Sequence, residues 1–172
     1  MLRRLCLLVT FVLMCGVLVP ARAQGLADKI ELSAGYAYMH FKSSPAVNLN
    51  GFDVSGEYKL RDWLGGVADV GGEFGKVGGV SSHVYTYTFG PQVSWPRRIS
   101  PFAHALFGFG YFSGGGYTNR SLAANYGAGV DVKIKAKLSW RVIEGDLVTT
   151  RLGGVAEHST RISTGIVYRF GR

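Results

Sequence analysis

Cysteine is almost missing from this sequence of 172 residues, since the two that occur, Cys6 and Cys15, both lie near its start. The rest of the chain therefore has no disulfide bond and must be stabilised in another way. Beyond residue 23 there is also no long apolar run and no helical periodicity, which excludes a helical membrane protein. What the chain does contain in quantity is glycine, with 25 residues, and aromatic residues, at 13%.

Residues 1–23 have the three parts of a secretory signal peptide. Arg3 and Arg4 form a basic start, Leu5 to Val19 is apolar, and Ala21-Arg22-Ala23 is a cleavage site in front of Gln24. The apolar run is shorter than the roughly 20 residues of a spanning helix, which disfavours an uncleaved anchor. We predict cleavage after Ala23. One domain then remains, residues 24–172, with sixteen basic and eleven acidic residues and a formal net charge of +5.

Eight stretches of this domain alternate apolar and other residues with a period of two, which is typical of β-strands with one apolar face. Each is close to the roughly 9–11 residues with which a tilted strand crosses a bilayer. The stretches begin near Leu32, Phe52, Leu64, Tyr85, Ala103, Leu122, Leu138 and Ile162.

Short and long connections alternate between these strands. The short ones are Arg61 to Asp62, Pro96 to Ser100 and Lys135 to Lys137, and the long ones are Lys42 to Asn50, Gly75 to Ser82, Ser113 to Ser121 and Leu152 to Ser159. This pattern predicts an all-β fold, an eight-stranded antiparallel up-and-down transmembrane β-barrel of the bacterial outer membrane. A soluble lipocalin-like barrel is the alternative. It is disfavoured because the polar face is rich in glycine and serine while the apolar face is broad and aromatic.

The seventh stretch, "LSWRVIEGDLVTTR", breaks the alternation. A β-bulge near Val142 would turn Arg141, Glu144 and Asp146 all to the inside. Alternatively, Arg141 extends along the membrane surface with its charged group in water. We favour the bulge.

With the bulge, eight of the eleven acidic residues face inward, and the outward strand positions carry no charge. A lumen of eight strands is just wide enough for its side chains to fill it, so we expect a network of paired charges, with a narrow ion path as the alternative. The predicted lumen network is Glu31, Asp53, Glu57, Lys59, Asp69, Glu73, His104, Asp131, Lys133, Arg141, Glu144, Asp146, Arg161 and Arg169.

With periplasmic termini, all three tryptophans lie at the periplasmic rim, where aromatic rings bridge lipid and water. The predicted aromatic girdle is Tyr58, Trp63, Trp95, Trp140, Tyr168 and Phe170.

The last strand also resembles the β-signal of outer-membrane proteins, which reads polar, x, Gly, x, x, aromatic, x, aromatic. Ser163, Gly165, Tyr168 and Phe170 occupy the four defined positions, although Gly171 and Arg172 follow where the signal typically ends. The resemblance implies recognition by the barrel-assembly machinery.

The domain as a whole is similar to the small outer-membrane β-barrel family, the OmpA/OmpX-like eight-stranded type. The phrases "ELSAGYAYMHF", "YTFGPQVSW", "PFAHALFGFG" and "GAGVDVKI" carry the resemblance. It implies an outer-membrane location. A peptidoglycan-binding domain is not expected, since no segment follows the barrel.

We predict a monomer with a structural or surface-interaction role, such as adhesion, with no enzymatic activity, cofactor or metal. A narrow channel is the second interpretation. A lipid-modifying enzyme at the rim is the third, because serines and histidines occur together at the predicted extracellular strand ends. These are His40, His83, His158, Ser43, Ser44, Ser81, Ser82 and Ser159.

Partners follow from the charge distribution. Lys42, Lys76, Arg120 and Arg151 give the predicted extracellular side a positive bias that suits the phosphates of lipopolysaccharide. The basic residues do not cluster with exposed aromatics, so no nucleic-acid partner is expected.

Overall fold

The computed structural model describes residues 29–41, 47–77, 80–114, 116–152 and 155–170. They form eight strands, in agreement with the sequence pattern. The strands are β1 (Ile30–Phe41), β2 (Val47–Arg61), β3 (Leu64–Val77), β4 (Val80–Ser94), β5 (Ile99–Gly114), β6 (Tyr117–Lys135), β7 (Leu138–Leu152) and β8 (Val155–Arg169). No helix in these ranges has the length and hydropathy needed to span a membrane.

Each strand pairs with its neighbours in sequence in the antiparallel sense, and β1 pairs with β8 to close the barrel. The seam runs from Glu31, opposite Arg169, to Phe41, opposite Ser159. We call the end where β1 begins and β8 ends the lower rim, and the opposite end the upper rim. Closure leaves no unpaired strand edge, which is the condition for a β-structure in hydrocarbon.

The alternation of side chains has the predicted direction. On β1 and β2, Leu32, Tyr36 and Val54 point outward and are 40–55% exposed, whereas Ser33 and Asp53 point inward and are 7% and 3% exposed. The same alternation holds around the whole ring, and the exposed large apolar side chains form a continuous outer band. The predicted barrel with an apolar outside and a polar inside is confirmed.

The bulge in β7 lies where the broken alternation placed it. Arg141 pairs with Gly165 and Glu144 with Ser163, so two residues of β7 stand opposite Thr164 alone. The Thr164 hydroxyl donates a hydrogen bond to the Arg141 carbonyl oxygen at 2.9 Å and accepts one from the Trp140 indole at 3.2 Å. Arg141 and Glu144 therefore both reach the lumen, as the sequence pattern required.

The predicted long connections at the upper rim are wrong in length. β3 and β4, β5 and β6, and β7 and β8 are separated by only two residues each, and β2 already begins at Val47. In the sequence these pairs are Gly78-Gly79, Gly115-Gly116 and Gly153-Gly154, and two glycines suit the tight turn of a hairpin, where positive φ is required. Gly116, with φ of 82°, shows this. The flanking residues continue the strands instead of forming loops.

Candidate functional site

The upper part of the lumen is filled by an apolar cluster that we call the upper plug. Its buried members are Met39, Val47, Leu49, Val84 and Val148, all on inward positions, with Phe41 and Phe112 packed against them. A cavity of only about 10 Å³ remains beside the plug. This is at most the room that one water molecule requires. The sequence analysis missed this cluster.

Below the plug, Arg161 is fully buried and stands among four carboxylates. Its Nε donates to Asp146 Oδ2 at 2.9 Å, and its Nη2 donates to Asp69 Oδ1 at 3.2 Å. Its Nη1 lies 3.1 Å from Asp53 Oδ2 and 3.8 Å from Glu73 Oε1. Arg161, on β8, thus contacts carboxylates from three other strands, β2, β3 and β7. One guanidinium therefore connects opposite walls of the barrel. Arginine suits this position because its planar group carries five donors.

Arg141 is the centre of a second group. Its Nε and Nη2 donate to the two oxygens of Asp131 at 2.9 and 3.3 Å, and its Nη1 donates to Glu144 Oε2 at 3.0 Å. The guanidinium also lies 4.3 Å from the ring centre of buried Phe102, a cation–π contact. Two-pronged pairing of this kind is among the stronger ion-pair geometries in proteins.

His104 links the two groups. Its Nε2 lies 3.0 Å from Asp146 Oδ1, and its Nδ1 lies 3.6 Å from Glu144 Oε1. Each carboxylate thus gives one oxygen to an arginine and turns the other toward the imidazole. His104, Glu144 and Asp146 offer three donor atoms within 4.8 Å of one another, a set that suits a metal ion by distance, but both carboxylates are already bound to guanidinium groups.

We call these nine buried side chains the central network. It contains two arginines, one histidine and six carboxylates, and each arginine serves more than one carboxylate. Hydrogen bonds from neighbouring hydroxyls add to it, such as Ser163 to Glu144 at 3.2 Å and Thr88 to Asp69 at 3.3 Å. Its members are Asp53, Asp69, Glu73, His104, Asp131, Arg141, Glu144, Asp146 and Arg161.

Inward glycines make the room that the network occupies. A Cβ on Gly127 would lie 1.8 Å from Asp146 Oδ1 and 2.6 Å from His104 Nε2, and a Cβ on Gly71 would lie 2.5 Å from Arg161 Nη1. Gly129 likewise leaves space for the Phe102 ring, which a Cβ would approach to 2.5 Å. The glycine content of the inward face thus has a packing reason.

The remaining residues of the predicted lumen network lie near the lower rim and are separate from its centre. Arg169 donates to Glu31 Oε1 at 2.9 Å and to the Ser139 hydroxyl, and Lys59 Nζ lies 2.8 Å from Glu57 Oε1. Lys133 is exposed and makes no ion pair with any described residue. The structure therefore places it at the mouth of the lumen and not in the network.

The aromatic residues predicted for the girdle all lie at the lower rim. Trp63 and Trp95 are in turns and are 50% and 65% exposed, and Trp140, near the start of β7, is 47% exposed. Tyr168 and Phe170 stack edge to face with ring centres 4.9 Å apart. Tyr58, on β2, is half-buried beside Ile30 of β1.

Near the upper rim, the outer surface is more polar than the sequence analysis expected. Because β3 and β6 extend further than predicted, Lys76 and Arg120 take outward strand positions, so the expectation of no outward charge fails there. The Arg120 guanidinium lies 4.1 Å from the ring centre of Phe109 and 5.6 Å from that of Tyr111.

The three rim histidines also lie on this outer surface. His40 Nδ1 is 2.7 Å from Asn48 Oδ1, His158 Nδ1 is 3.0 Å from Thr149 Oγ1, and His83 packs edge to face against Phe74. Among their sequence neighbours, Ser82 and Ser159 are buried on the inward face, opposite in direction to His83 and His158. Ser43 and Ser44 lie outside the described residues. Ser82 and Ser159 thus do not share a face with the histidines beside them. Ser81, two positions before His83, is exposed on the same outward face as that histidine.

Two predicted features bear on export and assembly. The signal peptide and its cleavage site at Ala21, Ala23 and Gln24 lie outside the described residues. The β-signal residues Ser163, Gly165, Tyr168 and Phe170 lie on β8 or directly after it, where β8 joins β1.

The solved structures include proteins of the same architecture. Neisserial surface protein A (NspA) superposes with a TM-score of 0.66 at 15% sequence identity, covering 83% of this chain and 97% of that one. The chain has the fold of a small outer-membrane β-barrel. Ail, the attachment invasion locus protein of Yersinia pestis, matches this barrel with a TM-score of 0.52 at 18% identity, over 81% and 97% of the two chains.

The N-terminal β-barrel domain of Pseudomonas aeruginosa OprF gives a TM-score of 0.53 at 13% identity, over 82% of this barrel and 98% of that domain. At these identities the likeness shows the fold alone. No protein-family profile and no curated protein sequence matches this barrel.

Proposed function

We propose that this chain is an integral outer-membrane protein of a Gram-negative-type bacterium, and that it is a structural or surface-contact protein without enzymatic activity. The transmembrane barrel fold, the continuous apolar outer band and the predicted signal peptide support the location. In this orientation the lower rim faces the periplasm and the upper rim faces the cell exterior. Cleavage after Ala23 is tested by N-terminal sequencing of the protein from outer membranes.

The observation that carries the proposed role is the filled lumen. The upper plug and the central network occupy the interior one above the other, and two cavities along the lumen, beside Met39 and next to Arg141, measure about 10 Å³ each. A pocket of about 500 Å³ also reaches His104 and Asp146, but its lining includes Tyr126 and Leu147 of the outer surface. An eight-stranded barrel has room for its side chains and little more. Solutes therefore have no path through the described interior, and the rims and the outer surface are left as the parts that can meet a partner.

The β5–β6 hairpin at the upper rim supports a role in contact with other molecules. The β5–β6 hairpin is paired without interruption from Ile99 opposite Val132 to Gly114 opposite Tyr117, so its two strands extend the wall as far as these residues. Preformed surfaces lose less entropy on binding than mobile loops do. The names of two proteins of the same fold, a surface protein and an attachment invasion locus protein, are compatible with such a role.

For a lipid partner we propose the phosphate groups of lipopolysaccharide. Arg120 carries its charge on the outer surface near the upper rim, and its guanidinium lies 4.1 Å from the ring centre of Phe109. A guanidinium in this position binds phosphate well because it is weakly hydrated and already oriented. Lys42 and Arg151, which the sequence analysis added to this set, fall outside the described side chains.

The surface-contact role is tested by expressing the full chain in a non-adherent laboratory strain and measuring the binding of whole cells to host-cell and matrix surfaces. A matched strain expresses a variant in which residues 113–118 are replaced by a two-residue turn, Asn-Gly, which shortens the β5–β6 hairpin and keeps Phe112 in the upper plug. We expect binding to fall to the level of the empty vector with the shortened hairpin. Equal binding by both strains overturns the role of this hairpin.

The closed lumen is tested separately by planar-bilayer recording of the refolded protein. We expect no discrete single-channel steps, because two independent layers close the interior. A double variant, Met39→Gly with Leu49→Gly, opens only the upper plug and is also expected to remain silent, since the central network lies beneath. Stable ion currents from the unaltered protein would establish the channel interpretation instead.

The orientation has a clean test because the predicted mature chain contains no cysteine. A single cysteine at Asn119 is expected to react with a membrane-impermeant maleimide on intact cells, and one at Lys137 is expected to react only after the outer membrane is broken. The reverse pattern contradicts the proposed orientation.

Assembly through the barrel-assembly machinery is the remaining partner proposal. It rests on the match of β8 to the β-signal and on the position of β8 at the closing seam. Tyr168→Ala with Phe170→Ala is expected to lower the amount of folded protein in outer membranes, while detergent refolding of the same variant proceeds. Unchanged amounts in the membrane contradict the proposal.

A further inference from the structure

The lower rim surrounds a cavity of about 950 Å³, which we call the lower vestibule. Its wall is built by the three turns of that rim and by the adjoining strand ends. It lies below the central network and opens at the end of the barrel. The side chains that line it are mainly Lys29, Glu31, Lys59, Arg61, Asp62, Arg97, Arg98, Lys133, Lys135 and Arg169.

The vestibule is strongly cationic. Eight lysine and arginine side chains line it against two carboxylates. Arg169 is paired with Glu31, and Lys59 with Glu57, so these pairs neutralise the floor. In the part of the chain that the structure describes, the other six cations form no ion pair. They are Lys29, Arg61, Arg97, Arg98, Lys133 and Lys135.

The turn between β4 and β5 is held in place, so its two arginines are positioned before any ligand arrives. The Trp95 amide donates to the Pro101 carbonyl at 2.9 Å, and the Ser100 hydroxyl donates to the Trp95 carbonyl at 2.6 Å. The Lys133 amide donates to the Arg98 carbonyl at 2.9 Å, which ties the turn to β6. A rigid backbone lowers the entropy that binding costs.

We propose that the lower vestibule is a binding site for anions that carry two or more phosphate charges. A concave site lined by charges of one sign focuses its field and concentrates the opposite ion. Guanidinium and ammonium groups are the side chains that bind phosphate oxygens. The volume lies within the roughly 300–1,000 Å³ of small-molecule sites.

The site is a binding site and not the entrance to an anion channel. Between the inner end of the vestibule and the central network, next to Glu57 and Arg141, the cavity volume falls to about 10 Å³. The central network above it has six carboxylates for three basic side chains, so it repels an anion that enters from below. An anion is attracted as far as the floor and is stopped there.

Phosphate of this kind has two sources at a periplasmic rim, the headgroups of anionic phospholipids and soluble polyphosphates. Both present clustered phosphate oxygens to the same side chains. The experiment therefore starts with a soluble probe, inorganic tripolyphosphate, and then asks whether a lipid headgroup competes with it.

Tripolyphosphate binding is measured by isothermal titration calorimetry on the refolded residues 24–172 in a neutral detergent. Arg97→Ala with Arg98→Ala is expected to weaken binding by about 10-fold to 100-fold, which corresponds to about 1.4–2.8 kcal/mol, since the other cations of the vestibule remain. The control is Lys137→Ala, which removes a positive charge from a turn of the same rim at a residue that does not line the vestibule, and it is expected to keep the affinity within about twofold.

Folding of every variant is checked by its gel mobility with and without boiling, so loss of binding is distinguished from loss of the barrel. We also expect the affinity to fall steeply as KCl rises from about 0.05 to 0.5 M, because the contacts are solvent-accessible. Absence of binding by the folded protein, or equal weakening by Arg97→Ala with Arg98→Ala and by Lys137→Ala, overturns the proposal.

The lipid arm compares nanodiscs that contain cardiolipin, whose headgroup carries two phosphate charges, with discs that contain an equal total charge of phosphatidylglycerol, which carries one. Weaker tripolyphosphate binding in the discs with cardiolipin identifies a headgroup as an occupant of the vestibule, because the surface charge of the two discs is the same. Unchanged binding assigns the site to a soluble phosphate. Both outcomes support a phosphate site at the lower rim, and neither depends on the proposed role of the upper rim.

Discussion

The central network and the lower vestibule belong to the same inward face of one barrel, yet their charges are arranged in opposite ways. In the network, carboxylates outnumber basic groups, and both arginines are buried and paired with carboxylates at 2.9–3.8 Å. In the vestibule, basic groups outnumber carboxylates by eight to two, and six of them have no described ionic partner. The two regions differ in charge balance because they lie at different depths along the barrel axis, although both face its interior.

The difference follows from the cost of burial. A charge deep in the lumen loses its hydration and has to be paired, so its position and partners are tightly defined. A charge at the mouth remains hydrated and carries no such requirement, so it is available to a ligand. The same alternating pattern thus produces a structural support in one place and a candidate binding surface in another.

The comparison predicts a large difference between two arginines. Arg161→Met removes the positive group among Asp53, Asp69 and Asp146 and is expected to lower the free energy of unfolding by about 3–5 kcal/mol. Arg61→Met removes the same charge from the vestibule, where Arg61 has no described ion pair. This substitution is expected to change the free energy of unfolding by less than about 0.5 kcal/mol. Urea unfolding in detergent, followed by gel mobility, measures both.

A companion variant shows whether electrostatics is the cause. In Arg161→Met with Asp53→Asn, one of the uncompensated charges is absent, so part of the lost stability is expected to return. If the double variant is as unstable as the single one, the loss comes from packing and the contrast between the two regions is smaller than we infer.

A second test concerns the space that glycine leaves for the network. Gly127→Ala places a methyl group against Asp146 and His104, and overpacking of this kind costs about 1–3 kcal/mol. The control is Gly145→Ala on the neighbouring strand, where an added Cβ meets no atom within 4 Å. We expect that control to unfold at the same urea concentration as the unaltered protein. Equal effects of the two substitutions would contradict a tightly packed network.

Lys59 lies between the two regions and is expected to give an intermediate result. It is half-buried, lies 2.8 Å from Glu57 and donates to the Ser94 hydroxyl at 2.9 Å. Lys59→Met leaves the buried Glu57 carboxylate without its cation and is expected to cost about 1–2 kcal/mol in unfolding free energy. Lys133→Met, on the same rim but exposed and unpaired, is the control and is expected to be neutral.

The smallest expected effect is that of salt on stability. Because the central network is inaccessible to ions, raising KCl from about 0.1 to 1 M is expected to change the unfolding free energy by less than about 1 kcal/mol. Over the same range, tripolyphosphate binding at the vestibule is expected to be lost. A large fall in stability with salt would mean that the network is open to solvent.

The face of each side chain was predictable because it depends only on neighbours along one strand. Period two placed Asp69 and Glu73 inside and Val70 and Phe74 outside, and the defect in that period near Val142 located the bulge. These signals are local, so a single sequence contains them in full.

The partners inside the lumen were not predictable. Arg161 and Asp69 are 92 positions apart and meet only because β1 pairs with β8 and closes the ring, which leaves three strand pairings between β3 and β8. The upper plug was also missed, although the sequence holds a sign of it. Near the end of β1 the inward positions, Met39 and Phe41, are apolar like the outward Tyr38 beside them. An apolar residue at an inward position of this kind fills the lumen.

Strand length was underestimated for a different reason. Polar and small residues beside Gly78, Gly115 and Gly153 were interpreted as loops, although a pair of glycines is a hairpin signal. Polarity shows where the bilayer ends, and not where backbone pairing ends. The strands continue beyond the apolar band because hydrogen bonds between strands also form in water, where each contributes less than in lipid.

The seam between β1 and β8 joins the first and the last described strand. Glu31 and Arg169, joined at 2.9 Å, are separated by 138 positions along the chain, so β1 has its second neighbour only when β8 is in place. This pairing closes the longest loop of the described chain, and its loop-closure entropy is therefore the largest among the strand pairings. A chain in which β1 and β8 have not yet paired has two unpaired strand edges, and each edge can pair with another chain.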